Sequence, residues 1–111
     1  MNITQNVHED IVIIGLDGDV MGGPEAVKLN TEINNLLDSG SLKAIIDLGS
    51  VNRMNSSGLG ILINAATTYN QNGGKLKLAN SSPLVQNLLT ITKLDSIFDA
   101  HSSVEEAIAS F

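Results

Sequence analysis

Short apolar runs of strand length alternate with apolar stripes at helical spacing along nearly the whole chain. That alternation restricts the fold more than any other feature, because strands joined through helices must cross over onto a mainly parallel sheet. Ile3, Gln5 and Val7 alternate with polar neighbours, as in a half-buried strand. Glu9-Asp10 turns the chain, Ile11-Val12-Ile13-Ile14 reads as a buried strand, and Gly15 to Gly18 ends it. Pro24 suits a first helical turn. Ala26, Leu29, Ile33, Leu36 and Leu37 follow at helical spacing, and Gly40 suits a left-handed cap. Ala44-Ile45-Ile46-Asp47-Leu48 is the next strand. A helix with Leu59, Leu62, Ala66 and Tyr69 on one stripe, widened by Ile61 and Ala65, stops at Asn72-Gly73-Gly74.

Lys75-Leu76-Lys77-Leu78-Ala79 alternates as a strand. Ser81 or Ser82 caps a helix with Pro83 in its first turn and Leu84, Val85, Leu88 and Leu89 on one face. Ile97-Phe98 is a short apolar segment that suits an edge strand. Ser102 or Ser103 caps a last helix, which carries Glu105 and Glu106 in its first turn and buries Val104, Ala107, Ile108 and Phe111. The expectation is one α/β domain over residues 1–111. Its mixed sheet has four or five strands, the opening hairpin supplies an antiparallel edge, and about four helices pack mainly on one side.

Aromatic residues are only 3% of the 111, so the core must be aliphatic. Without Cys there are no disulfides or thiolate metal sites. The net charge of -6 and the dispersal of Lys28, Lys43, Arg53, Lys75, Lys77 and Lys93 argue against nonspecific nucleic-acid binding. The first residues lack a signal-peptide pattern, and no apolar run approaches the ~20 residues of a membrane helix. A soluble cytoplasmic protein is expected.

Met54-Asn55-Ser56-Ser57-Gly58-Leu59-Gly60 lies between the central strand and the helix after it. Two hydroxyls therefore stand at or just before a helix start, where free N–H groups and the helix dipole favour an anion. A serine there can be phosphorylated with a phosphate that the backbone tolerates. The plain alternative is that Ser56 or Asn55 serves only as an N-cap.

Enzyme chemistry has little support. Ser56 and Ser57 do not sit in Gly-x-Ser-x-Gly, and no acid–His pair follows them. Gly58-Leu59-Gly60 lacks the third glycine of a dinucleotide fingerprint, and Asn72-Gly73-Gly74-Lys75 is not a P-loop. His8 and His101 have no spaced partners for a metal. Asp17-Gly18-Asp19 is a fragment of a calcium loop without its other ligands, and reads as a turn. No cofactor or metal is expected. Met21-Gly22-Gly23-Pro24 is a loop whose Met and glycines can serve a partner surface. Arg53 reads as a loop arginine able to meet a phosphate or a carboxylate. Tyr69 reads as half-buried, with its hydroxyl in water.

The chain resembles the anti-sigma factor antagonists of the STAS domain family. Leu16-Asp17-Gly18-Asp19-Val20, Ala44–Leu48, Met54–Leu62 and Gly73–Leu78 carry the resemblance, with Val85, Leu88, Leu89, Ile91 and Leu94 in support. It spans nearly the whole chain. The resemblance implies a switch rather than an enzyme. Such proteins bind an anti-sigma factor that is also a serine kinase, so that it releases its sigma factor. The kinase phosphorylates a serine, which by position is Ser56, and a serine phosphatase restores it. Met21, Gly22, Gly23, Arg53, Met54, Asn55, Ser56, Ser57, Gly58 and Leu59 form the implied partner surface. The chain departs from the family pattern at Asn55, where Asp is common, and in the less polar Met21–Pro24 loop. Asn55 supports an alternative, a STAS scaffold that binds partners without phosphorylation.

Overall fold

Two strands of alternating apolar residues open the chain, β1 (Asn2–His8) and β2 (Ile11–Val20), paired antiparallel as the expected hairpin. Along β2, Val12, Ile14 and Leu16 join one apolar layer, while Ile11 and Ile13 join another on the opposite face. This period-2 division sets the layers of the molecule. The computed structural model describes residues 2–93 and 98–111, the side chain of Leu84 excepted.

After β2 come α1 (Pro24–Asp38), β3 (Lys43–Met54), α2 (Ser56–Gln71), β4 (Lys75–Ala79), α3 (Pro83–Ile91), β5 (Asp99–His101) and α4 (Val104–Ala109). The five strands lie in sequence order, and every pair after β1–β2 is parallel. Crossovers of one hand that step repeatedly in one direction leave their helices on one face. α1, α2 and α3 accordingly share the main core, where Ile14, Leu29, Ile33, Ile46, Leu62 and Leu78 are fully buried. α4 covers the other face, with Ala107 against Ile11, Ile45 and Ala79. The mixed sheet with helices mainly on one side is as expected.

Several local expectations are corrected. β2 does not end at Gly15–Gly18 but runs on to Val20, and β3 does not end at Leu48 but runs on to Met54. The two strands keep pairing to Val20 and Met54 through register shifts after Gly15 and after Gly18. Glycine in a strand marks such irregularities or a close approach. At Gly15 the approach is that of Thr4, whose hydroxyl would lie 2.5 Å from an added Cβ. β4 pairs only with residues 43–47 of β3, and β1 flanks β2 only as far as Asp17, so the ends of β2 and β3 project beyond both as a two-stranded ribbon. Asp17-Gly18-Asp19 is therefore strand, not turn.

Val7 is 70% exposed although Ile3 packs on the core, because β1 is an edge strand that the helical layer covers only in part. Tyr69 is fully buried and its hydroxyl has no partner among the described residues, so its expected contact with water is absent. Burial pushes its pKa up to about 12. Ile97 and Leu94 lie outside the described residues. Phe98 is buried and β5 begins just after it.

Candidate functional site

The ribbon of β2 and β3 delivers two loops to one end of the sheet. Met54 ends β3 and pairs with Val20 at the end of β2. From there one chain passes through Asn55 into α2, and the other through Met21-Gly22-Gly23 into α1. The open choice of cap is settled in favour of Asn55. Its backbone is extended and its Oδ1 accepts a hydrogen bond from the Gly58 N–H at 2.8 Å. Ser56 and Ser57 are the first two helical residues, and both are exposed. The Ser56 hydroxyl has no hydrogen-bond partner among the described residues. α2 carries no acidic residue in its first turn.

Gly58 is the contact that seats this helix. A Cβ there would collide with the Val20 carbonyl oxygen and lie 2.7 Å from the carbonyl carbon. Gly22 brings in the second loop. It has φ +96, a left-handed backbone that favours glycine, and a Cβ there would lie 2.9 Å from Ser57 Cβ. Glu25 holds the same loop by accepting the Met21 N–H at 3.3 Å. Met21 and Gly23 are exposed.

The predicted residues thus separate into two groups. Met21, Gly22, Gly23, Asn55, Ser56 and Ser57 form one surface, with Arg53 on the ribbon beside it. Met54, Gly58 and Leu59 are buried behind that surface, and Met54 and Leu59 belong to the main core. Arg53 is a strand residue rather than a loop residue, and its Nη2 donates to Asp19 Oδ2 at 2.9 Å across the ribbon. The Asp19 hydrogen bond raises the guanidinium pKa further. Asp19 is not in the partner surface expected from the sequence, where Asp17-Gly18-Asp19 reads as a turn.

A groove of about 290 Å³ opens from Ser57 between α1 and α2. Ala26, Val27 and Asn30 line one side, and Gly60 and Asn64 the other. Asn64 donates to Asn30 Oδ1 at 2.9 Å, and Val27 is 69% exposed. Sequence reasoning missed this groove. The available signal was Val27, an apolar residue off the buried stripe of α1.

Among the described residues no acid or histidine is hydrogen-bonded to the Ser56 or Ser57 hydroxyl. Among the described residues no group of three His, Cys, Asp or Glu side chains is placed to hold a metal ion. No helix among them is long and apolar enough to cross a membrane.

Comparison with known proteins gives this surface a family setting. The STAS domain family model matches residues 2–107. BtrV of Bordetella bronchiseptica, named as an anti-sigma factor antagonist, is 30% identical over all 111 residues and 95% of its own length. The crystal structure of TM1081 from Thermotoga maritima superimposes with a TM-score of 0.84 at 23% identity, covering 97% of this chain and 92% of that one. The Bacillus anti-sigma factor antagonist SpoIIAA matches in its unphosphorylated form (TM-score 0.72, 20% identity, 98% and 96% covered). It matches equally in its phosphorylated form (TM-score 0.73, 21% identity, 98% of both chains). The protein belongs to the STAS domain family, and within it to the anti-sigma factor antagonists.

Proposed function

We propose that this protein binds an anti-sigma factor with serine kinase activity, that binding frees a sigma factor, and that phosphorylation of Ser56 ends it. The observation that carries the reading is the placement of Ser56. It is the first residue of α2, exposed, next in sequence to the Ser57 that meets Gly22, and at the position where the family resemblance puts the modified serine. A kinase can reach its hydroxyl without unfolding the domain.

A phosphoserine carries about -1.5 to -2 charges at pH 7. At a helix start the domain itself tolerates that charge. At an interface formed around a neutral hydroxyl, the partner must accommodate its bulk and desolvate it. The fold is kept while binding is lost. SpoIIAA, solved in both forms, resembles this chain to the same degree in each, which supports a fold that outlasts such a modification.

In this reading Met21, Gly22, Gly23, Arg53, Asn55, Ser56 and Ser57 face the partner. Met54, Gly58 and Leu59 support them from within. A serine phosphatase returns the protein to its binding form. The domain spans residues 1–111, acts in the cytoplasm, needs no cofactor and catalyses no reaction of its own. It touches neither nucleic acid nor membrane.

The test is titration of wild type, Ser56→Ala and Ser56→Asp against the cognate anti-sigma factor, with mass spectrometry after incubation with kinase and ATP. Ser56→Ala should bind and resist phosphorylation, and Ser56→Asp should bind more weakly. Full binding by Ser56→Asp, with no phosphate found on Ser56, would replace the switch by a STAS scaffold that works unmodified. The neutral Asn55 cap favours that second reading.

A further inference from the structure

At the opposite end of the parallel strands, three of the chain's six basic residues line one cavity. Lys43 starts β3, Lys75 starts β4, and Lys77 follows two residues on. With Leu42, Gly73 and Phe111 they enclose about 400 Å³. In a chain of net charge -6 three cations gather here, two of them paired with an aspartate, Lys43 with Asp10 and Lys77 with Asp99.

Lys43 and Lys75 are in register on adjacent strands, and like charges facing each other across strands destabilise a sheet. The Lys75 N–H donates to the Leu42 carbonyl at 2.8 Å, which ties the two strand starts together. Among the described residues Lys43 pairs only with Asp10, at 2.9 Å, an exposed pair of the kind worth about 0–1 kcal/mol, so a stronger anion can displace it. No acidic partner of Lys75 is present among the described residues. Lys77 differs from both. Its side chain is 8% exposed, it is held by Asp99, and it lies 4.8 Å from the centre of the Phe111 ring. Lys77 therefore fixes the ring and adds positive field, while Lys43 and Lys75 supply mobile donors.

We propose that this cavity binds a small organic phosphate, its dianionic head between Lys43 and Lys75 and its apolar body against Phe111 and Leu42. Two ammonium groups match a dianion better than a single carboxylate. The volume is that of a small-ligand pocket. The site is separated from Ser56 by the length of β3, so a ligand here and a partner there do not compete for space.

Phenyl phosphate and inorganic phosphate are suitable probes, titrated into isotope-labelled protein and followed by amide NMR shifts. Phenyl phosphate should bind saturably and shift Gly73, Lys75 and Phe111. K43Q and K75Q should each weaken it roughly tenfold, with circular dichroism unchanged. F111A should remove its advantage over inorganic phosphate, and K93Q should change nothing. Shifts that do not saturate, or that K93Q reduces as much as K75Q, would overturn the site. Sedimentation with phosphatidic acid vesicles without phenyl phosphate binding would assign these lysines to a lipid surface, and would overturn it equally.

Discussion

Gly58 rests against the backbone carbonyl of Val20, so the first turn of α2 is seated directly on the end of β2. No side chain can be inserted between them without moving the helix. Gly58→Ala should cost about 2 kcal/mol through overpacking, and Gly58→Val more. Gly60, two residues on, has open space where its Cβ would be. Gly60→Ala should stabilise by up to ~1 kcal/mol through helix propensity. Urea unfolding of the two alanine variants checks the contrast, and equal effects at both positions would contradict this packing.

Asn55 rather than Ser56 caps α2, so their substitutions should separate. Asn55→Ala should lose about 1 kcal/mol with the cap bond to Gly58. Ser56→Ala should stay within about 0.5 kcal/mol, as exposed positions usually do. Asn55→Asp keeps a capping oxygen and should retain stability, so any change in its phosphorylation rate reports the charge beside Ser56 and not the fold.

Gly22 stands at φ +96 with Ser57 beside it. Gly22→Ala introduces backbone strain and a contact that must give, and should cost about 1–2 kcal/mol. Gly23→Ala meets no neighbour but also sits at positive φ, +71, so it should carry only the strain. Binding measurements on the pair, set beside their unfolding curves, show how far the partner depends on a fixed Gly22–Ser57 contact.

Tyr69 gives a pH signature. Its pKa rises from 10.0 to about 12 on burial, so the folded state holds the phenolic proton after the unfolded state has released it. Stability from this group is complete below about pH 10 and is lost as pH rises toward 12, by roughly 2 kcal/mol. Tyr69→Phe should abolish that loss. At pH 7 it should be neutral or stabilising by up to ~1 kcal/mol, since it removes a buried hydroxyl without a partner. Thermal unfolding of both proteins between pH 7 and pH 11 makes the comparison.

The order of elements was legible because aliphatic periodicity dominates a core nearly without aromatics. Helix starts were legible from Pro24, Pro83 and the serine caps at Ser82 and Ser103. The ribbon was not. Gly15, Gly18 and Gly49 look like turn punctuation, yet the strands absorb them in shifted register and go on pairing. Lys77 was illegible for a similar reason: a period-2 pattern assigns an alternate lysine to water, and only the tertiary placement of Phe111 and Asp99 buries it. The motif located the candidate site, but which residues face outward depended on Gly58 lying against Val20, a contact between distant parts of the chain.

The first turn of α2 holds no acid, and its cap is neutral. A phosphate on Ser56 would be the first negative charge in that turn, worth about 0.5–1 kcal/mol in the field of the helix. Modification would then lengthen the life of the molecule while silencing it. The silenced pool should melt several degrees higher and resist proteolysis longer than the active one. On the proposed switch, a cell would keep its reserve in the more durable form, ready for release by a phosphatase without new synthesis.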